Sequence, residues 1–439
     1  MARILHIAPH LGGGVGRFVT NVFGEDSVFE HTFLLLETPI DMEILAGSNL
    51  DWRCIDQISE PIQDYLRKFE IVQIEFWNHP LVYRFLATLE TLERCRVMVY
   101  SHVLGLHAPA VISRPIVELA DYFVVATPAT LAADDLKHAG VGVEVIHELG
   151  GCERTRHVSA LPHSGFNVAY VGTASFLKLH PKFMAMCAAI CERNGEVRFL
   201  FCSNDHPSEL VQEAQALGVQ DRFVFRERVE DIGSVLAQAD VFGYPLSPRH
   251  YGTGEQSIIE AMGAGLPVVV LDNPTERYLV ADGITGIRAR NPSEYVEAID
   301  FLQRHPEIAK EMGRQAREHA LTAFDHEVTR GRFHSIYRDV LDVPKKDHVF
   351  CIPPREGLED TALGVRLFLL SQGEEGATFE KALGSGDDAA YWRWKVSQMK
   401  EHLVASKGTL FHYQLYFPGD EALTRLRSFI PDTCSSTIS

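Results

Sequence analysis

The feature that most constrains this chain is a pattern that runs, stops and starts again. Short apolar runs rich in β-branched residues, "RILHIAP", "IVQIEF", "RVMVYSH", "YFVVAT" and "VEVIHEL", alternate with amphipathic stretches through the first third. After the polar stretch "GGCERTRHVSALPHSG" the alternation resumes with "FNVAYVG", "VRFLFCS", "FVFRER", "VFGYPL" and "LPVVVLD". Apolar strands separated by helical segments predict parallel sheets with crossover helices packed on both faces. The restart predicts an α/β protein with two doubly wound, Rossmann-like domains, residues 1–155 and 165–342, facing a cleft. A length of 439 residues agrees, because it exceeds what one core usually organises. The helical stretch from "NPSEYVEAI" to "IYRDVL" is expected to close the second domain. Residues 343–439 differ in texture, and the aromatics of "YWRWK" and "LFHYQLYF" predict a folded C-terminal appendage rather than a disordered tail. Its role is open among dimerisation, packing behind the cleft and partner recognition.

Charge narrows the partners. Forty-one Lys and Arg against 59 Asp and Glu give a formal net charge of −18, which disfavours nucleic acid and anionic membrane surfaces. Peripheral membrane contact through a local patch stays open. No apolar run approaches the roughly 20 residues of a spanning helix, and "MARILHIAPHLGGG" lacks the features of an export leader. Eight scattered cysteines without a C-x-x-C fit a reduced, cytoplasmic setting. Cys187 and Cys191 read as the buried stripe of a helix, so no metal site is expected. A homo-oligomer remains open.

In doubly wound sheets, ligands bind at the carboxyl ends of the strands. The first strand runs into "HLGGGVGRF", where Gly12, Gly13, Gly14 and Gly16 permit close backbone approach and Arg17 opens a helix whose amides favour an anion. The spacing fits neither the dinucleotide fingerprint nor a Walker loop. The second domain repeats the arrangement in "YVGTASFLK", with Thr173 after the glycine and Lys178 five residues on. His102 ends the "RVMVYSH" strand, and Glu75, Trp77, Asn78 and His79 follow "IVQI". In "YGTGEQSIIEAMGAG", Glu255 falls in a first helical turn and Glu260 lies five residues on, about 140° around the helix. The two carboxylates therefore address different ligand groups. Taken singly, each motif also reads as a flexible turn, a solvated lysine, a satisfied structural histidine or a helix-dipole carboxylate.

Taken together, "GGGVGRF", "SH" at Ser101–His102, "VGTASFLK", "EQSIIEAMGAGLPVVVLDN" and "DGITGI" resemble the retaining nucleotide-sugar glycosyltransferases of family 4, over residues 1–342. The resemblance implies the GT-B architecture and transfer of a sugar from a UDP- or GDP-sugar donor to a hydroxyl acceptor with retention. It implies no cofactor and no metal. By position Glu260 would hold the donor ribose, and Gly13, Gly14, Gly16, Thr173, Lys178, Thr253 and Gly254 would surround the phosphates. His102 would lie beside the donor sugar. The chain departs from the family twice. Gly252 stands eight positions before Glu260, where a glutamate is expected, and Thr173 stands in an arginine slot. Glu255 is the candidate to replace the missing glutamate, and Glu75, Trp77 and Asn78 are acceptor-pocket candidates. The departures also fit a catalytically silent binding or scaffold protein, and the two-domain cleft fits a nucleotide-sugar isomerase.

Overall fold

The computed structural model describes residues 1–39, 45, 48–138, 140–176, 178–203, 207–227, 231–250, 252–354, 362–403 and 406–431. Cys434 lies outside the described residues. Two parallel sheets dominate. The first has the order Asp51–Cys54, Glu30–Leu35, Arg3–Ala8, Ile71–Phe76, Val97–Ser101, Tyr122–Val125, Gly142–Val145. The second has the order Phe223–Glu227, Val197–Ser203, Phe166–Val171, Val241–Tyr244, Val268–Leu271, Gly286–Ala289. Each sheet thus reverses direction beside its own first strand, the switch point where a doubly wound fold opens a crevice. The glycine turns after Ala8 and Val171 sit at those two points.

The apolar strands owe their pattern to burial on both faces. All six residues of Ile71–Phe76 are buried, which is why the run reads as continuous rather than alternating. The helix Gly13–Phe23 turns Phe18, Val19, Val22 and Phe23 inward along one stripe. Each such side chain, once withdrawn from water, contributes roughly 1.5–3 kcal/mol. The helix starts at Gly13, earlier than the Arg17 start read from sequence, so the glycines form its first turn.

Two apolar cores result, and their membership changes one expectation. The helix His326–Asp342 was expected to close the second domain, yet its buried Phe333, Ile336, Tyr337 and Val340 join the first core. His334 bonds Asp26 at 2.7 Å, and the Tyr337 hydroxyl donates to Gln73 at 2.7 Å. The chain therefore crosses back before its appendage begins. The strand Lys346–Val349 pairs antiparallel with Thr91–Cys95. Helices Leu363–Ser371, Gly376–Leu383, Ala389–Ser397, Leu410–Tyr416 and Glu421–Ser428 then pack Phe368, Phe379, Val396, Tyr413 and Leu426 into the same first core. Asp420 fastens this array by accepting from the amides of Ala422, Leu423 and Val365. No helix among the described residues is long and apolar enough to cross a membrane.

Candidate active site

At the two switch points the glycine turns face each other across a cavity of about 230 Å³, whose lining includes Gly13, Gly14, Gly172 and Thr173. Arg17, Arg154 and Lys178 supply its charges, and no carboxylate is among its described lining residues. Arg17 arrives from the first turns of the first-domain helix and Lys178 from the loop after the second domain's first strand. Arg154 comes from the linker, residues 146–165 between the two sheets, whose path Gln256 fixes: its side chain accepts from the Gly150 amide at 2.9 Å and donates to the Gly151 carbonyl at 2.7 Å. Sequence reading assigned no role to Arg17 or Arg154. Arg17 was visible one turn into its helix, but Arg154 carries no local signal because only the linker's course aims it.

Glu255 is the N-cap of the helix Gln256–Gly263, just ahead of the position read from sequence, and it is buried. One of its oxygens accepts from the Tyr244 hydroxyl at 2.7 Å and pairs with the Lys178 ammonium at 3.0 Å. The other has no hydrogen-bond partner, its neighbour His250 Nδ1 being 3.7 Å away. A Cβ added at Gly252 would lie 1.9 Å from that free oxygen. Glu255 thus delivers its carboxylate to the volume a residue 252 side chain would enter. Burial disfavours the charged form, but Lys178 and then His250 hold the Glu255 carboxyl below its usual range. Glu260 lies within the helix and sits 3.4 Å from Arg154. Burial raises its carboxyl, an effect that Arg154, then Arg17, partly offsets.

Other expected residues lie elsewhere. Thr253 and Gly254 do not line the cation-lined cavity. The Thr253 hydroxyl donates to Glu148 at 3.0 Å, and a Cβ at Gly254 would stand 2.3 Å from the Glu148 carbonyl oxygen, so both close the domain interface. Gly16 is buried inside its helix. Glu75 is fully buried at the end of its strand, accepting from Gln73 and bonded to His6 at 2.6 Å and His102 at 2.7 Å. Asn78 is fully buried too, donating to the carbonyls of Pro109 and Ser371. Both side chains have no exposure. Among the described cavities, Trp77 lines one of about 290 Å³ beside the first glycine turn.

His102 was expected beside the donor sugar. Its side chain has 0% exposure and lies between Glu75 and Glu148, the latter 3.1 Å from Nδ1. Burial works against its charge, but Glu148 and then Glu75 outweigh it and push the imidazole up to about 9. The ring is therefore a cationic bridge within the fold at neutral pH. From it a buried chain runs through Glu75, His6 and His31 to Asp26, with His6 and His31 2.8 Å apart. Among the described residues, His10–Glu37–His79, Glu153–Asp325–His326 and His250–Glu255–Glu276 have spacings that a metal could use. In the last, the Lys178 ammonium already neutralises Glu255.

Two Rossmann-like domains with a crevice between their switch points define the GT-B class of fold. Within it, residues 165–305 match the family model described as Glycosyl transferases group 1. Among curated proteins the chain is 24% identical over 232 residues to the "Putative glycosyltransferase EpsD" of Bacillus subtilis (strain 168). That match covers 49% of this chain and 60% of EpsD, so the chain spans under two thirds of that relative's length. Among solved structures it is similar to Anabaena Alr3699/HepE in complex with UDP, with a TM-score of 0.63 and 15% identity, covering 77% of this chain and 100% of that one. A glycosyltransferase from Rickettsia africae ESF-5 gives a TM-score of 0.63 at 14% identity, covering 78% and 99%.

Proposed function

We propose that the protein moves a sugar from a nucleotide diphosphate donor to a hydroxyl acceptor, with retention of anomeric configuration and without a metal. The observation that carries this reading is the cavity between the two glycine turns, lined by Arg17, Arg154 and Lys178 and by no described carboxylate. Breaking a sugar–diphosphate bond builds negative charge on the leaving group, and cations and amides fixed in a closed cleft stabilise that charge without reorganising. Glu260, beside Arg154, is the proposed partner of the ribose hydroxyls. The unbonded oxygen of Glu255 is the proposed acceptor of a hydrogen bond from the donor sugar. HepE was solved with UDP and with UDP-glucose, which supports a uridine nucleotide ahead of guanosine.

In this reaction the bond between the anomeric carbon and the phosphate oxygen breaks as the acceptor oxygen attacks from the same face. The acceptor's proton passes to the departing phosphate, so no separate base is assigned. His102 acts as a positioning residue, joining Glu75 of the first sheet to Glu148 of the linker. Incubation with UDP-, GDP- and dTDP-sugars, followed by nucleotide release, tests the proposal. Full activity in both Lys178→Ala and Glu260→Ala would overturn the assigned roles.

A further inference from the structure

Three adjacent strands of the first sheet, Glu30–Leu35, Arg3–Ala8 and Ile71–Phe76, each release a polar side chain just past their carboxyl ends: Glu37, His10 and His79. One nitrogen or oxygen of each lies within 4.8 Å of the other two. The appendage helix Leu410–Tyr416 contributes the remaining members of the group. The Tyr416 hydroxyl donates to Glu37 Oε2 at 2.7 Å, and the His412 ring stands edge-on to that of His79 with centroids 4.5 Å apart. Through His10 the cluster adjoins a cavity of about 290 Å³ that shares Gly13 and Gly14 with the donor cavity. Trp77 and the appendage's Lys407 also line that cavity, and the His10 ring is 5.7 Å from that of His79.

Backbone amides decide what this cluster can bind. His79 is the N-cap of the helix Pro80–Leu89, and its Nδ1 accepts from the Leu81 amide at 3.1 Å. Burial first, then the neighbouring His412, holds the ring well below its ordinary titration range, so it is neutral at neutral pH. A neutral ring whose Nδ1 accepts carries its proton on Nε2. That nitrogen is a donor and not a metal ligand, since an imidazole that binds a metal donates through its other nitrogen. His412 is fixed in the same way, its Nδ1 accepting from the Gly408 amide at 3.2 Å.

The His79 Nε2–H has Glu37 Oε1 before it at 3.9 Å, beyond a direct hydrogen bond. The His79 side chain is 3% exposed and that of Glu37 keeps 23%, so a buried donor faces an acceptor that a ligand can reach. An oxygen about 2.8 Å from both atoms spans the gap, accepting from His79 and donating to Glu37. A hydroxyl or a water does both with a single oxygen. Burial raises the Glu37 carboxyl, and the Tyr416 bond partly offsets that rise, so the appendage helps to keep the acceptor ionised. The Trp77 ring, 6.4 Å from that of His79, gives a sugar ring an apolar face beside the gap. Resting on the proposed transferase reading, we propose that this gap is the acceptor subsite: Glu37 and His79 grip one hydroxyl of a carbohydrate acceptor against Trp77, and the appendage completes the subsite through Tyr416.

The test is an NMR titration of the full chain in the presence of UDP, with methyl glucoside, methyl galactoside, methyl mannoside and ethylene glycol as probes. At least one glycoside is expected to bind about tenfold tighter than ethylene glycol, because only a ring can fill the gap and reach Trp77 together. Glu37→Ala and His79→Phe are each expected to weaken that glycoside about tenfold, as loss of one hydrogen bond to a buried partner does, with UDP affinity as in the native chain. Tyr416→Phe keeps the ring packed and removes only its hydroxyl, so a smaller loss of about threefold is expected. Binding of no glycoside, binding equal to that of ethylene glycol, or native glycoside affinity in Glu37→Ala overturns the inference. Zinc bound tightly by the native chain and lost in Glu37→Ala overturns it as well, and native affinity in Tyr416→Phe removes the appendage from the subsite. Failure of the native chain to bind UDP would instead count against the transferase reading beneath it.

Discussion

Two buried clusters of acids and bases sit at strand ends on opposite sides of the cleft, and they are built to different ends. In the first domain both oxygens of Glu75 are engaged, by His6 and Gln73 on one side and His102 on the other, and the residue has no exposure. In the second domain Glu255 meets Lys178 and Tyr244 with one oxygen and leaves the other unbonded. A buried carboxylate is costly unless paired and bonded, so the closed cluster fits a scaffold and the open one retains bonding capacity for a ligand. Burial and perturbed titration alone do not separate the two. The carboxylates differ in that both Glu75 oxygens accept hydrogen bonds, whereas one Glu255 oxygen accepts none.

Breaking the closed cluster has the largest expected effect. Glu75→Ala leaves a cationic His102 without one of its two buried partners and removes the bond to His6. Removing one member of a buried pair costs about 3–5 kcal/mol, so thermal or urea unfolding is expected to show a marked loss of stability. A variant that melts with the native protein but loses activity would reverse the assignment, moving Glu75 back to the acceptor site. Next in size, Lys178→Ala is expected to lower transfer by about 10²–10³, as removal of one aimed charge-stabilising group does elsewhere. Nucleotide affinity should fall with it. Loss of stability without loss of rate in the folded fraction would show the second cluster to be as structural as the first.

Much of this architecture was legible in the sequence, and the parts that were not share a cause. The strands Arg3–Ala8, Ile71–Phe76, Phe166–Val171 and Val268–Leu271 follow from local apolar runs. The glycine turns follow from their place after the first strand of each domain. The helix that carries Glu260 follows from the apolar spacing of Ile258, Ile259 and Met262. By contrast, the replacement of a residue 252 side chain by Glu255 requires the loop to fold back, which no spacing rule encodes. The return of His326–Asp342 to the first core is equally non-local, since its apolar stripe says that it packs but not on what. Arg154 and Lys407 enter the cavities through a linker and an appendage turn whose courses depend on distant contacts. The burial of Glu75 is not legible for the related reason that a carboxylate near a strand end looks the same whether three side chains seal it or none does.

The pH dependence of stability sharpens the comparison through the closed cluster. Glu148 and Glu75 raise His102 to about 9, above an unfolded value near 6.5, so its stabilising charge is fully present below about pH 6.5 and is lost as pH rises through 9. His31 shows the opposite sign. Burial lowers it to about 4, so the native state resists its protonation and loses stability as pH falls from about 6.5 through 4. Melting temperatures across this range are expected to fall on both flanks. Glu148→Gln should flatten the alkaline flank and leave the acid flank in place. An unchanged alkaline flank would mean that the bridge between the linker and the first sheet is not charged.

The smallest expected effect falls on the open cluster and probes its geometry rather than its charge. Gly252→Ala places a methyl group where the free oxygen of Glu255 now sits, 1.9 Å from the ideal Cβ. Nothing is removed, so the fold and the Lys178 pair can adjust by moving one carboxylate. If that oxygen receives a hydroxyl of the donor sugar, a displacement of about an ångström is expected to lower kcat by roughly tenfold, because misplacement alone carries a catalytic cost. UDP affinity, set by the phosphates and ribose, should be nearly unaffected. A Gly252→Ala enzyme with native kcat would mean that the substitute carboxylate fills space without touching substrate, and the second cluster would then differ from the first in bonding but not in purpose.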